Sequence, residues 1–192
     1  MTSVGVLLAA GTGSRFEGGN KLRQPVDGEP VVRHAARRLA ASPVEETVVV
    51  LGHDAASVRA ELRPLADRLS FVHNERYAEG QSTSARLGAR EVLERGGTLG
   101  VFALGDMPWV APETYERLVT TATRCEAPVV VPVADGQRGN PVAFDATALR
   151  EFTALAGDAG GRTLFDSFPV ERLSVDDTGI HADVDTRADL ER

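Results

Sequence analysis

Short Val- and Leu-rich runs alternating with amphipathic segments predict an α/β fold: a mostly parallel sheet covered by helices on both sides. Three observations carry this. Four runs, residues 4–10, 47–51, 99–104 and 128–133, are nearly unbroken by polar side chains, as strands buried on both faces are. Between them lie segments with apolar residues at helical spacing. The 192 residues, 42% hydrophobic and 26% charged, suffice to bury a sizeable core.

Taken in order, the first strand (residues 4–10) runs into a glycine-rich segment. A helix over residues 31–41 follows Glu29 and Pro30, which suit a helix start. After the strand at 47–51, residues 55–69 place Val58, Leu62, Leu65 and Leu69 on one stripe, with Pro64 as a kink or break. A weaker strand is expected at 69–73, then helices at 83–93 and 112–122 flanking the strand at 99–104. From Asp135 the pattern changes. Asp135-Gly136-Gln137-Arg138-Gly139-Asn140-Pro141 is rich in turn formers. Two short helical segments near 145–155 and 161–168 follow, then a strand at 170–175 and an acidic stretch over 176–189. No repeat, low-complexity tract or linker interrupts the chain, so all 192 residues read as one domain. The part after residue 135 is expected to build one wall of a site.

Composition excludes several function classes. No apolar run approaches the ~20 residues that span a bilayer, so no membrane role is expected. The start, Met1-Thr2-Ser3, has no basic region and no cleavable apolar stretch, which points to a cytoplasmic protein rather than one secreted by a standard signal. The formal charge is −7 with scattered basic residues, so nucleic acid is not expected as a partner. One cysteine, Cys125, excludes a disulfide framework and a cysteine-rich metal site; it reads as a packing or surface thiol. His34 and His73 have no ligand spacing. His53 follows a strand and fits either a nucleotide contact or a hydrogen-bonded strand end. Trp109 reads as a packing residue.

Three sites carry chemistry. Gly11-Thr12-Gly13-Ser14-Arg15-Phe16-Glu17-Gly18-Gly19-Asn20-Lys21 follows the first strand. Its glycines let backbone amides approach an anion. It is not a dinucleotide fingerprint, because Phe16 stands at the third glycine position. It is not a Walker loop, because Leu22 follows Lys21. Residues 13–23 hold Arg15, Lys21 and Arg23 against Glu17, a local excess of positive charge, and Lys21 is the single lysine among 21 basic residues. A compact ammonium on a flexible stem suits a polyphosphate that moves during reaction. Taken alone, the segment also fits a plain β–α connection. Asp106, directly after the strand at 99–104, sits where open α/β sheets bind ligands. It fits a Mg²⁺ ligand or a turn aspartate capping the next helix. Asp183 and Asp185 share a face if extended; with Thr186 they also fit an ordinary helix cap.

These pieces occur in a familiar order. The stretches Leu7-Leu8-Ala9-Ala10-Gly11-Thr12-Gly13-Ser14-Arg15-Phe16 with Lys21-Leu22, Val50-Leu51-Gly52-His53, Glu79-Gly80-Gln81-Ser82-Thr83-Ser84, Leu104-Gly105-Asp106-Met107-Pro108, Arg138-Gly139-Asn140-Pro141-Val142, Gly157-Asp158-Ala159-Gly160-Gly161-Arg162 and Asp183-Val184-Asp185-Thr186 span nearly the whole chain. Together they resemble the MobA-like nucleotidyltransferases, most closely the molybdenum cofactor cytidylyltransferases. The resemblance implies a Rossmann-like three-layer α/β/α fold with a mostly parallel central sheet. It implies Mg²⁺-dependent transfer of CMP from CTP to the molybdopterin cofactor with release of pyrophosphate, and a molybdoenzyme as a possible partner. By the same resemblance, Ala9, Ala10, Gly11 and Gly13 line the base and phosphates, and Arg15 and Lys21 hold the triphosphate. Asp106, Asp185 and Asp183 stand on the metal side, and Gly80 to Ser84, Ser82 among them, border the nucleoside. Arg138, Asn140 and Arg162 face the acceptor. The pair Ala9-Ala10 resembles the cytidylyl branch, where guanylyl relatives show Ala-Gly-Gly, and the bulk of Ala10 disfavours a purine. Two departures stand out: a loop before Lys21 about one residue longer than usual in the family, and Asn140 where many relatives carry histidine. Guanylyl, sugar or phospholactate transfer on the same fold, and a non-catalytic molybdopterin chaperone, remain open.

Overall fold

The structure, a computed structural model, describes residues 2–13, 16, 19–154 and 162–191, with residues 162–164 as backbone only. The elements in order are β1 (Ser3–Ala9), β2 (Pro25–Val26), β3 (Glu29–Pro30), α1 (Val31–Ala41), β4 (Glu46–Leu51), α2 (Ala55–Glu61), β5 (Ser70–His73), α3 (Gln81–Glu94), β6 (Leu99–Leu104), α4 (Pro112–Arg124), β7 (Val129–Ala134), β8 (Gln137–Arg138), β9 (Val142–Asp145), α5 (Ala146–Ala154), α6 (Arg162–Ser167) and β10 (Val170–Ser174).

β1 lies inside the main sheet, paired in parallel with β4 on one side and β6 on the other. The order across the sheet is β10-β7-β9-β6-β1-β4-β5, with β8 hydrogen-bonded to β7. β9 runs antiparallel to both of its neighbours, so the sheet is mixed but mostly parallel. The side chains of β1 divide between two cores. Leu7 and Ala9 pack with α1, α2 and α4 through Leu39, Val58 and Leu118. Val4 and Val6 pack on the opposite face with α3 and α5 through Ala89, Val92 and Phe152. This period of two feeding two helical layers makes the Rossmann-like three-layer α/β/α arrangement.

The boundaries follow local chemistry. α1 buries Val31, Val32, Ala35, Ala36, Leu39 and Ala40, a stripe at helical spacing. The helix expected over 55–69 ends at Glu61; Pro64 cannot continue it, and a 3₁₀ turn, Arg63–Leu65, takes its place. Two pieces were not expected. Asp27 (φ 50°) and Gly28 (φ 80°) form the turn of a short β2–β3 hairpin, the Asp-Gly chemistry that such turns favour. β9 lies inside the sheet, so the region after residue 135 contributes to the core as well as to a wall. Phe144 of β9 meets Phe102 of β6 edge-on, ring centroids 5.4 Å apart.

Candidate active site

β1 and β6 deliver the glycine-rich segment and Asp106 to the same end of the sheet, because both are parallel neighbours. Gly105 N donates to Leu8 O at 2.9 Å, which ties the Asp106 turn to the end of β1. Beyond β1 the chain crosses Gly13, whose φ of 57° is a left-handed conformation that glycine adopts without strain. It then enters a 3₁₀ turn, Lys21–Arg23. Asn20 caps that turn by accepting from Leu22 N at 3.0 Å, and buried Leu22 anchors it in the core below. Lys21 is therefore aimed by its neighbours on both sides.

Its ammonium lies between two carboxylates, 2.7 Å from Asp106 Oδ2 and 2.9 Å from Asp185 Oδ1. Asp185 arrives from the far end of the chain. Val184, fully buried, packs with Phe16, Val26 and Val31 beside Trp109, and Val184 N donates to Asp106 O at 2.9 Å. Asp189 Oδ2 accepts from Asp185 N, Thr186 N and Thr186 Oγ1, so it is the Asp189 carboxylate, not the Thr186 hydroxyl, that serves as the side-chain acceptor at the start of this last turn. Burial pulls the Lys21 pKa down, but the Asp106 charge, its hydrogen bond and those of Asp185 outweigh this and hold it above 10.5.

A cleft of about 420 Å³ runs past this triad. Ala9, Ala10, Gly11 and Gly13 line it, as do Lys21, Asp106, Asp185 and Gly80. Gln81 and Ser84, from the stretch 80–84 expected at the nucleoside, also line it, as do Phe16 and Tyr77, to which the sequence assigned no role. Ser82 is buried beneath the rim; its Oγ has no hydrogen-bond partner among the described residues, and it is Ser84 that reaches the cleft. The rim is organised by buried Asn74, whose Nδ2 donates to Thr83 Oγ1 (2.9 Å) and Ser84 Oγ (2.8 Å) while Oδ1 accepts from Arg76 N. No short motif marks Asn74. Gly52 is forced by space: a Cβ there would stand 2.7 Å from Ala10 Cβ and 2.6 Å from Tyr77 Cβ.

Other expected residues fall elsewhere. Asp183 is exposed and does not line the cleft. Arg138 is exposed and stacks over Phe165, 4.7 Å from its centroid. Asn140 N donates to Ile180 O at 3.0 Å, outside the cleft lining. Arg15 and the side chain of Arg162 lie outside the described residues. Arg23 turns away to Glu61 (3.3 Å) and Asp54 (3.5 Å). Among the described residues the charged groups lining the cleft are therefore Lys21, Asp106 and Asp185, one cation against two anions. Trp109 packs, as expected.

The fold and the triad define a class, and comparison with known proteins assigns it. The chain belongs to the MobA-like NTP transferase domain family, whose model matches residues 5–174. It is 31% identical over 198 residues to the nicotine blue oxidoreductase of Paenarthrobacter nicotinovorans, covering 95% of this chain and 91% of that one. It is 35% identical over 130 residues to the bifunctional protein GlmU of a Ruegeria species, covering 66% of this chain but only 28% of GlmU. Among solved structures it is similar to a nucleotidyl transferase from Methanothermobacter (TM-score 0.83, 26% identity, covering 100% of this chain and 95% of that one). It is also similar to the manganese complex of Rv0371C from Mycobacterium tuberculosis (TM-score 0.78, 27% identity, covering 100% and 97%).

Proposed function

We propose that the protein transfers CMP from CTP to the terminal phosphate of a molybdopterin cofactor, releasing pyrophosphate, as a cytoplasmic single-domain enzyme. The observation that carries this reading is the convergence of Lys21, Asp106 and Asp185 in a cleft lined by the glycine-rich segment 9–13. In the reaction an acceptor phosphate oxygen bonds to the α-phosphorus of CTP. The bond from that phosphorus to the bridging oxygen breaks, and its electron pair leaves with pyrophosphate. The attacking phosphate is already ionised near neutrality, so no strong general base is needed; the work is positioning and charge neutralisation.

The residues fit a divalent metal. Two carboxylates from separate elements satisfy one cation together, here the Lys21 ammonium. Oxygen donors suit Mg²⁺, which takes one or two protein carboxylates beside its other ligands. That leaves positions for phosphate oxygens and water. Asp106 and Asp185, the two carboxylates that line the cleft, would hold the ion, which would neutralise charge developing on the phosphates. That a relative from Mycobacterium tuberculosis was solved as a manganese complex supports a divalent metal as the cofactor. Lys21, with Arg15, holds the triphosphate. The amides of residues 9–13 approach its oxygens. Gly80 and the buried Ser82 shape the nucleoside end, where Ala10 disfavours a purine. Arg138, Asn140 and Arg162 belong to the acceptor side.

The similarity to nicotine blue oxidoreductase over nearly the full chain favours a second reading, electron transfer to a small organic acceptor in the same cleft. Thermal melting separates the readings. With Mg²⁺ and each of CTP, GTP, ATP and UTP, CTP at 100 times its Kd is expected to stabilise by about 2.7 kcal/mol, several degrees for this size. Stabilisation by GTP or UTP instead points to guanylyl or sugar-nucleotide transfer. With NADH and NADPH added to the panel, stabilisation by one of these alone points to the oxidoreductase, and stabilisation by no nucleotide at all to an acceptor-first binding order or a non-catalytic role.

A further inference from the structure

We propose that Lys21 is a resident counter-ion that bars divalent metal from Asp106 and Asp185 until a nucleoside triphosphate draws its ammonium away, so that metal and nucleotide enter the site together. This rests on reading Asp106 and Asp185 as the metal's carboxylates.

Three observations lead here. First, the ammonium is within 2.9 Å of both carboxylates, so a metal bound there would meet a full positive charge at contact distance. Second, the lysine's side chain is 14% exposed, against 22% for Asp106 and 42% for Asp185, so water reaches this group mainly from the Asp185 side and screens the repulsion only in part. Third, the alternative position lies beside it. The Lys21 stem runs along Gly13, where an added Cβ would be 3.6 Å from Lys21 Cγ, and Gly11 borders open space on the same cleft wall. Rotation about the long side chain can carry the ammonium from the carboxylates toward phosphates on the glycine-rich segment with the backbone in place. Each partner then gains: the metal takes two freed carboxylates, and the lysine takes a more highly charged anion. Such coupling is reciprocal, so nucleotide and metal tighten each other by one factor.

The test is Mn²⁺ binding to the full chain without nucleotide, read from the electron paramagnetic resonance signal of free Mn²⁺. Wild type and Lys21→Arg, which keeps the charge, are expected to bind weakly. Lys21→Met is expected to bind at least about tenfold more tightly, and Asp106→Asn added to it to remove the gain. Lys21→Gln replaces the methionine variant if that one fails to fold. Affinity in the neutral variants within about twofold of wild type overturns the proposal. If that happens while wild type with CTP still binds Mn²⁺ in a manner abolished by Asp106→Asn, the proposed function stands and only the exchange falls. If Mn²⁺ binding with CTP is indifferent to Asp106→Asn, the reading of the carboxylates falls and the exchange with it.

Discussion

At the scale of single residues the triad makes the sharpest demands. Asp106→Asn keeps the shape of the side chain but removes a charge that Lys21 contacts at 2.7 Å. Under the proposed function it lowers pyrophosphate release about 10²- to 10³-fold, the scale of losing one preorganised electrostatic contact, while melting shows the fold intact. Gly52→Ala acts on stability instead. Its Cβ would crowd Ala10 and Tyr77 at 2.7 and 2.6 Å, a cost of about 1–3 kcal/mol in urea unfolding. Part of this was legible in the sequence: the lone lysine, the aspartate after a buried strand, and Asp185 of the closing acidic pair, whose other member, Asp183, stays exposed outside the cleft. What was not legible was how their charges combine. Arg23 counted toward a basic loop, yet it spends its charge on Asp54 and Glu61. Lys21 is already matched by two carboxylates from 85 and 164 positions away, a pairing that only the tertiary structure makes.

At the scale of elements, the segment after β10 contributes more than the acidic pair singled out in it. Asp177, to which the sequence assigned no role, works as a remote helix cap. Its Oδ2 accepts from Ala111 N (2.8 Å) and Thr114 Oγ1 (2.6 Å), supplying the start of α4 with the cap that Ala111 lacks, and its Oδ1 accepts from Gly179 N. The same segment carries Asp185 to Lys21. Asp177→Ala is therefore expected to cost about 1–3 kcal/mol in urea unfolding and to lower kcat/KM although Asp177 touches no part of the cleft. α1 and β6 match the sequence reading residue for residue, because their apolar periodicity is strong and their ends are punctuated by Pro30 and by Gly105. β9 was missed because Val142-Ala143-Phe144 is too short to show a period; its pairing with β6 and β7 makes it a strand. The β2–β3 hairpin had a signal, Asp27-Gly28, without long strands around it.

For the whole molecule, pH gives a direct test of the linkage between site and stability. The folded pKa of Lys21 lies above its ordinary 10.5, so the stability it contributes is complete below that pH and is lost as pH rises through the folded value. The stability gap between wild type and Lys21→Met is thus expected to be level from about pH 7 to about pH 10 and to shrink above about pH 10.5. A gap unchanged to higher pH would mean that the ion pairs contribute little. Function at this scale rests on one sheet bringing β1, β6 and the closing segment together. The most direct measurement is pyrophosphate release by the full chain with Mg²⁺, molybdopterin cofactor and CTP or GTP. The account predicts release that needs both the metal and the acceptor, favours CTP, and collapses in Asp106→Ala while the variant still binds the cofactor. No release with any nucleotide, or release unchanged in Asp106→Ala, would contradict it.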